Sequence, residues 1–128
     1  MRIAYHGIII QKRRILMLDK RGSYILPGGK PKEGESPKDC IKREIEEELS
    51  KTKVRVGDYY DDFEGLTPHS KRHLVSKTYF CYVDGKVGEP SAEISSKVFI
   101  NSRDKDNFNL SEISKKTLDS LIDRGLID

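Results

Sequence analysis

The stretch GGKPKEGESPKDCIKREIEEELSKT, residues 28–52, begins as a turn rich in Gly and Pro and ends as a helix rich in acidic residues. Ser36 is a good helix N-cap, and Pro37 follows at the first helical position, where its missing N–H costs nothing. Asp39 adds a negative charge in the first turn, which favours the helix dipole. We therefore predict a helix from Pro37 to about Ser50. The loop before it, PGGKPKEGESP, is too rich in Gly and Pro for regular structure.

The glutamates of this helix fall on two different sides of it. At about 100° per residue, Glu44, Glu47 and Glu48 share an arc of about 100°, whereas Glu46 points away from them. The apolar stripe directly beside that arc consists of Ile41, Ile45 and Leu49. The acidic arc therefore borders the core, where a cleft can lie. Like charges one turn apart cost an exposed helix only about 0.2–0.5 kcal/mol per pair, so charge alone leaves a solvated acidic face open.

The spacing of six residues is more informative than the charge. These residues are Gly29, Glu35, Arg43, Glu44, Glu47 and Glu48. Their pattern is Gly, five residues, Glu, seven residues, Arg-Glu, an aliphatic residue, any residue and Glu-Glu, with Ile45 in the aliphatic place. This is the Nudix box, and the sequence closely resembles the Nudix hydrolase family. Ser50 and Lys51 depart from the pattern, since the family usually has Gly and an aliphatic residue there, but those places shape the helix exit.

The resemblance implies a metal-dependent hydrolase that acts on the diphosphate linkage of a nucleoside diphosphate derivative, by attack of water on phosphorus. It implies Glu44, Glu47 and Glu48 as ligands of Mg²⁺ or Mn²⁺, with the carbonyl of Gly29 as a further ligand. Hard cations of this kind prefer oxygen ligands and are commonly shared between carboxylates and substrate phosphates. Gly28 and Gly29 let the backbone approach such ions because they carry no Cβ.

The remaining catalytic assignments also follow from the resemblance. It implies that Glu35 and Arg43 hold the loop against the helix, with Arg43 orienting a metal-binding glutamate. We therefore place Arg43 with the catalytic residues and Glu35 behind the metal ligands. For the general base it leaves open a glutamate of the box, here Glu47, and an acid of a later loop, here Glu93 in GEPSAEISSKVFI. Glu64 is a weaker candidate.

The substrate is less well defined than the reaction. We expect Lys30, His69 and Arg72 to contact substrate phosphates, together with the backbone of Gly28 and Gly29. Pro68 lies near the position where ADP-ribose hydrolases of the family carry a proline, which favours that substrate. Nucleoside triphosphates, including oxidised ones, nucleotide sugars and dinucleoside polyphosphates remain open, because the box recognises the diphosphate and not the group attached to it.

The rest of the chain supplies strands and a second helix. Strands are predicted over IAYHGIII, RRILMLDK, SYIL, KVRVGDYYDDFEGL, HLVSKTYFCYV and SKVFIN. Ser111 caps a last helix with an apolar stripe along it, and Gly125 follows as a C-cap. The order of strands, helix, strands and helix predicts a mixed β-sheet between helices rather than a doubly wound sheet. The resemblance implies the Nudix fold, an α/β/α sandwich of the α+β class, over one domain of residues 1–128.

The composition limits the cellular location and the binding partners that can be expected. Apolar and charged residues each make up 35% of the 128 residues, which is typical of a soluble globular chain. No apolar run approaches the roughly 18 residues of a membrane span, and MRIAYHGIII lacks a signal-peptide cleavage site, so we expect a cytoplasmic protein with no membrane partner. Cys40 and Cys81 read as two buried free thiols, with a disulfide or a metal pair as the alternatives.

The expected partner is a nucleotide-type small molecule. The net charge is +3, but the basic residues are interleaved with acids, so we do not expect nucleic acid as a partner. We leave a homodimer open. The alternative function is a non-catalytic nucleotide-binding or regulatory Nudix module. The complete set of Glu44, Glu47 and Glu48 argues against it, because a sensor need not keep every metal ligand.

Overall fold

The structure is a computed structural model that describes residues 2–128. Its strands are β1 (Arg2–Gln11), β2 (Arg14–Lys20), β3 (Ser23–Ile25), β4 (Gly28–Gly29), β5 (Lys53–Leu66), β6 (His73–Asp84) and β7 (Ile94–Ile100). Its helices are α1 (Pro37–Glu48) and α2 (Glu112–Asp123), with a short 3₁₀ turn at Lys105–Asn107. The main strand order is β3-β2-β1-β6-β5, while β4 pairs with β1 and β7 with β2. Only the β1–β6 pair is parallel among these described strands, so the predicted mixed sheet is confirmed.

Each face of the sheet carries one helix and one apolar cluster. Successive strand residues point to opposite faces. Accordingly, Ile8 packs with α2 residues such as Leu118, whereas its neighbour Ile9 packs with α1 residues such as Ile45. The same alternation separates the buried residues of β2 between the two clusters. The α/β/α arrangement expected for the Nudix fold is therefore present.

Helix α1 begins where the sequence predicts and ends earlier. The Ser36 hydroxyl accepts a hydrogen bond from the backbone N–H of Asp39 at 3.1 Å, and Pro37 occupies the first turn. The predicted end near Ser50 is wrong, because the helix stops at Glu48 and Leu49 is extended. The reason lies in a distant segment: the backbone N–H of Ser50 bonds to the carbonyl of Glu89, and that of Ser91 bonds to Glu48.

The prediction that the whole PGGKPKEGESP loop lacks regular structure is also wrong. Gly28 and Gly29 form the two-residue strand β4, which pairs antiparallel with His6 and Tyr5 of β1. Gly28 has φ +137°, and a Cβ there would lie 2.2 Å from the carbonyl oxygen of Tyr5. Only glycine allows this close pairing, which brings the loop against the sheet directly before α1.

The remaining elements agree with the predictions, with shifts of a few residues at their ends. Helix α2 follows the Ser111 cap, and Gly125 takes a left-handed φ of +71° just after the C-cap Arg124. Cys40 and Cys81 are buried free thiols, which confirms that prediction. Across residues 2–128, none of the helices is both long enough and apolar enough to span a bilayer.

Candidate functional site

A cavity of about 580 Å³ is lined by residues of β1, β4, α1, the loop after β5 and the start of α2. Most of the predicted site residues line it, and these are Gly28, Gly29, Lys30, Glu44, Glu47, Glu48, His69 and Glu93. They come from β4, from α1, from the loop after β5 and from the segment before β7. The acidic arc therefore faces a cleft, whereas Glu46 is exposed on another side and pairs with Lys42.

Arg43 joins the loop to the helix. Its Nε donates to Glu35 Oε2 at 2.8 Å and its Nη2 donates to Glu35 Oε1 at 3.0 Å, a two-bond fork that a lysine cannot form. Nη2 also donates to the Lys30 carbonyl at 3.2 Å. Nη1 donates to Glu44 Oε1 at 3.0 Å and reaches Glu47 Oε1 at 3.4 Å. One guanidinium thus fixes the loop and two of the three carboxylates of the arc.

Opposite charges stabilise the contacts between Arg43 and the glutamates around it. The hydrogen bonds from Arg43 hold the pKa of Glu35 down at about 2, with help from the backbone N–H of Lys32. The same pairing with Glu35, followed by that with Glu44, raises the pKa of Arg43 well above its ordinary value. Neither Arg43 nor Glu35 is among the described residues that line the cavity, since both lie on its outer side in a shallow groove beside Glu47.

Glu48 is a partly buried carboxylate of the arc. Its Oε1 accepts a hydrogen bond of 2.9 Å from the backbone N–H of Gly28. Burial raises its pKa to about 8, and the negative charges of Glu44 and Glu47 add to the rise, while the Gly28 bond and Lys20 oppose it. A carboxylate in this position lacks water to offset its charge, and a bound cation would provide that compensation.

Gly29 packs directly against the carboxylate of Glu44. A Cβ on Gly29 would lie 2.7 Å from Cδ of Glu44 and 2.9 Å from each of its oxygens. Any larger residue would therefore push the Glu44 carboxylate aside. The carbonyl of Gly29 accepts a weak bond from the Cys40 thiol at 3.5 Å, which leaves capacity for another partner.

The donor set fits a hard divalent cation. Within residues 2–128, no three His, Cys, Asp or Glu side chains converge closely enough to hold a metal ion as they stand. The reason is visible in the arc, where Glu44 and Glu47 turn toward Arg43 and Glu48 turns toward Gly28. All three are carboxylates on one wall of the cavity, and the glycine backbone leaves room beside them. Oxygen donors of this type suit Mg²⁺ and Mn²⁺.

Glu93 lines the cavity from the segment before β7, two residues after Ser91, whose backbone N–H bonds to the carbonyl of Glu48. It is exposed and pairs with Lys20, whose Nζ lies 3.1 Å from Glu93 Oε2. This hydrogen bond and the positive charge of Lys20 lower the pKa of Glu93. The weaker acidic candidate, Glu64, is outside the set of described residues that line the cavity and pairs with His73 at 3.3 Å.

The predicted phosphate contacts are only partly gathered. Lys30 and His69 line the cavity, and His69 Nε2 lies 3.1 Å from the carbonyl of Lys20. Arg72 is not among the described lining residues, although it is near enough to act on Lys30. Burial and then the positive charges of Arg2, Arg72 and Lys20 lower the pKa of Lys30. The region around Lys30 is therefore positively charged.

Sequence reasoning missed several residues of this site, among them Arg2, Lys20 and His6. Arg2 and Lys20 line the cavity from β1 and β2, and His6 forms part of its floor. Buried His6 Nδ1 lies 2.6 Å from Ser76 Oγ, and burial lowers its pKa to about 4. None of the three belongs to a recognisable spacing, because strand pairing rather than local sequence brings them to the cavity. For Arg2 and His6, the alternation of residues along β1 was the only available signal, and for Lys20 there was none.

Comparison with known proteins agrees with this geometry. Residues 2–118 match the family model described as NUDIX domain. A crystal structure of a putative nudix hydrolase family member from Chromobacterium violaceum is 28% identical, with a TM-score of 0.71, and the match covers 95% of this chain and 77% of that one. No curated protein sequence matches the chain.

Two further crystal structures share the fold at lower identity. One is described as a UDP-X diphosphatase, with 24% identity, a TM-score of 0.75, and coverage of 96% of this chain and 63% of that one. The other is described as an ADP-ribose pyrophosphatase from Streptococcus suis 89-1591, with 20% identity, a TM-score of 0.69, and coverage of 94% and 86%. With the family model matched over nearly the whole chain and the acidic arc facing a cavity, this chain belongs to the Nudix family.

Proposed function

We propose that the chain hydrolyses the diphosphate linkage of nucleoside diphosphate derivatives and requires Mg²⁺ or Mn²⁺. One observation carries the proposal: Glu44, Glu47 and Glu48 line the same wall of a cavity of about 580 Å³, which is large enough for a nucleotide. An acidic helix face without function would more simply point to solvent, as Glu46 does.

The metal would be held by these three carboxylates and by the carbonyl of Gly29. When bound, the ion would offset the charge of the diphosphate and lower the pKa of a bound water. Arg43 holds Glu44 and Glu47 in place and ties them to the loop through Glu35. Gly28 fixes Glu48 by its backbone N–H. These contacts order the acidic wall before any substrate arrives.

For the general base we favour Glu47 over Glu93. Glu47 faces the cavity with about half of its side chain exposed (54%), so it can reach a water beside the other carboxylates. Glu93 is already paired with Lys20, and its lowered pKa makes it a weaker proton acceptor. Glu93 is then the second candidate, as base or as a further metal ligand.

The positive side of the cavity supplies the substrate contacts. Lys30 and His69 lie at the cavity and would bind phosphate oxygens, as would the backbone around Gly28 and Gly29. Arg72 would contribute through its charge near Lys30. Since phosphates are anionic, this side and the acidic wall with its cation would hold the two ends of one diphosphate group.

The candidate substrates are ADP-ribose, a nucleotide sugar and a nucleoside triphosphate, including oxidised forms. The similar structures described as UDP-X diphosphatase and ADP-ribose pyrophosphatase differ in substrate, so likeness to them supports the diphosphate linkage in common. Pro68, whose place in the sequence suggests ADP-ribose, lines the cavity. A cytoplasmic location belongs to the same proposal, and the two free thiols suit a reducing compartment. A homodimer stays a prediction.

The test is hydrolysis of a panel of nucleotides with Mg²⁺ or Mn²⁺, followed by product analysis. We expect release of a nucleoside monophosphate, loss of activity in EDTA and a decrease of orders of magnitude in Glu47→Gln. The matched control is Glu46→Gln, the same substitution one residue away on the exposed side, which should retain activity. Tight nucleotide binding without turnover of any panel member would contradict the proposal and favour a non-catalytic binding module.

A further inference from the structure

Arg2 has an unusual position at the cavity. It is the first residue of β1 and lines the cavity with Ala4 and His6, which share its strand face. Its Nη1 atom is buried, and no hydrogen-bond acceptor contacts it within residues 2–128. It is the one buried side-chain polar atom of the described chain without a partner. Buried donors are nearly always bonded, so an orphan in a cavity wall indicates that a ligand supplies the acceptor.

The place of Arg2 relative to the acidic wall shows which part of a substrate it would meet. His6 pairs with Gly28, and Gly28 donates to Glu48, so this end of β1 adjoins the acidic wall. Arg2 lies four residues away on the strand, or about 13 Å at roughly 3.3 Å per residue. That spacing between backbone positions exceeds the length of a diphosphate bridge, and the charge of Arg2 acts on Lys30. Arg2 is therefore placed to meet a group attached next to the cleaved linkage rather than the linkage itself.

The surroundings of Arg2 favour an oxygen acceptor. The cavity wall near it includes the apolar side chains of Ala4, Leu66 and Leu74, where a hydrogen bond is little weakened by water. Of the cations on this side, Lys20 is paired with Glu93, whereas no carboxylate in the described chain lies within ion-pair distance of Arg2. A guanidinium fork of this kind binds negatively polarised oxygens, and it can bind two at once.

We infer that Arg2 is a specificity-determining residue that donates hydrogen bonds to an oxygen acceptor on the substrate, outside the cleaved diphosphate bridge. The inference rests on the proposed function, because the direction along the cavity is defined by the acidic wall. Two parts of a nucleotide carry a strongly negative oxygen of this kind, whereas the sugar hydroxyls, which every candidate substrate carries, are weaker acceptors. One is the carbonyl of guanine, cytosine or uracil, which adenine lacks, and the other is a phosphate beyond the diphosphate. Either source makes ADP-ribose a poor substrate, so this inference and the preference suggested by Pro68 lead to opposite predictions.

The experiment compares kcat/KM for wild type, Arg2→Gln and Arg2→Lys, with Mg²⁺, on the four nucleoside triphosphates, the four diphosphates and ADP-ribose. We expect Arg2→Gln to reduce one selectivity ratio about 10- to 100-fold, as the loss of a hydrogen bond from a charged donor does. If the acceptor is a base carbonyl, Arg2→Gln should lower the preference for GTP, CTP or UTP over ATP. If the acceptor is a third phosphate, Arg2→Gln should lower the preference for triphosphates over diphosphates. Arg2→Lys should then retain part of that preference, because a point charge is enough to bind a phosphate.

Control measurements separate this inference from the proposed function. Arg103→Gln removes an exposed arginine outside the cavity lining and should leave every ratio unchanged. Without nucleotide, Arg2→Gln should be at least as stable to urea as Arg103→Gln, because it removes an unpaired buried donor. A wild type that hydrolyses no panel member refutes the proposed function. A wild type that prefers ADP-ribose, ratios that change less than twofold in Arg2→Gln, or a marked loss of stability in that variant would overturn the role of Arg2.

Discussion

The substitution Gly29→Ala tests whether the backbone beside α1 sets the position of a metal-binding carboxylate. An added Cβ would lie 2.7 Å from Cδ of Glu44, whereas ordinary contact begins near 3.4 Å. The Glu44 carboxylate would therefore have to move by about 0.7 Å. Metal ligands tolerate deviations of only about 0.2 Å, so this displacement should weaken metal binding about 10- to 100-fold, as other changes in groups that orient ligands do.

The same substitution should leave folding almost unchanged. The atoms that the new Cβ meets belong to the end of a flexible side chain, and the φ of Gly29 lies outside the left-handed range. An alanine at such a position costs the folded state little and restricts the unfolded chain. We expect the free energy of unfolding in urea to stay within about 0.5 kcal/mol of wild type.

Gly34→Ala is the matched control in the same loop. Its Cβ would meet nothing within 4 Å, but its φ of +76° is left-handed. It should lose about 1 kcal/mol of stability through backbone strain and retain the metal affinity. Calorimetric titration with Mn²⁺ and urea unfolding measure the two quantities separately. The reasoning is refuted if Gly29→Ala binds Mn²⁺ like wild type, or if it loses more stability than Gly34→Ala.

Three further outcomes follow from other contacts of the site. A lysine in Arg43→Lys cannot form both hydrogen bonds to Glu35, so kcat should fall about 10- to 100-fold. An unchanged kcat would show that the paired hydrogen bonds from Arg43 to Glu35 have no role. In the folded protein the pKa of His6 is about 4, whereas an unfolded histidine has a pKa near 6.5. Between these pH values the unfolded chain binds a proton at His6 and the folded chain does not. Stability should therefore be complete above pH 6.5 and fall by up to about 3 kcal/mol toward pH 4, and urea unfolding of His6→Asn should show a shallower pH dependence. Gly28→Ala should lose at least about 2 kcal/mol, because its φ is left-handed and its Cβ would meet the backbone of Tyr5; a wild-type midpoint in urea would contradict this.

Local signals explain the parts of the fold that the sequence predicts well. The start of α1 depends on Ser36 and Pro37, which act within one turn of the chain. The acidic arc follows from helical periodicity, which requires no knowledge of the rest of the molecule. The strand and helix order likewise follows from patterning and turn residues. These features were therefore accessible from the sequence.

Features that depend on distant segments were not accessible. The end of α1 is set by backbone bonds to residues about 40 positions later, and β4 exists because Gly28 approaches Tyr5 of β1. Arg2 and Lys20 reach the cavity only through the pairing of β1 and β2 with other strands. Nothing in the local sequence around them distinguishes these two residues from other surface cations. Their role becomes visible only when the cavity is defined.

The most direct measurement for the central claim is the anomalous signal of Mn²⁺ in crystals soaked with the ion. We predict at least one peak at the wall formed by Glu44, Glu47 and Glu48, within coordination distance of their oxygens and close to the Gly29 carbonyl. Crystals of Glu47→Gln should show a weaker peak, and crystals of Glu46→Gln an unchanged one. Full Mn²⁺ occupancy elsewhere, with these carboxylates still bound only to Arg43 and Gly28, would contradict it.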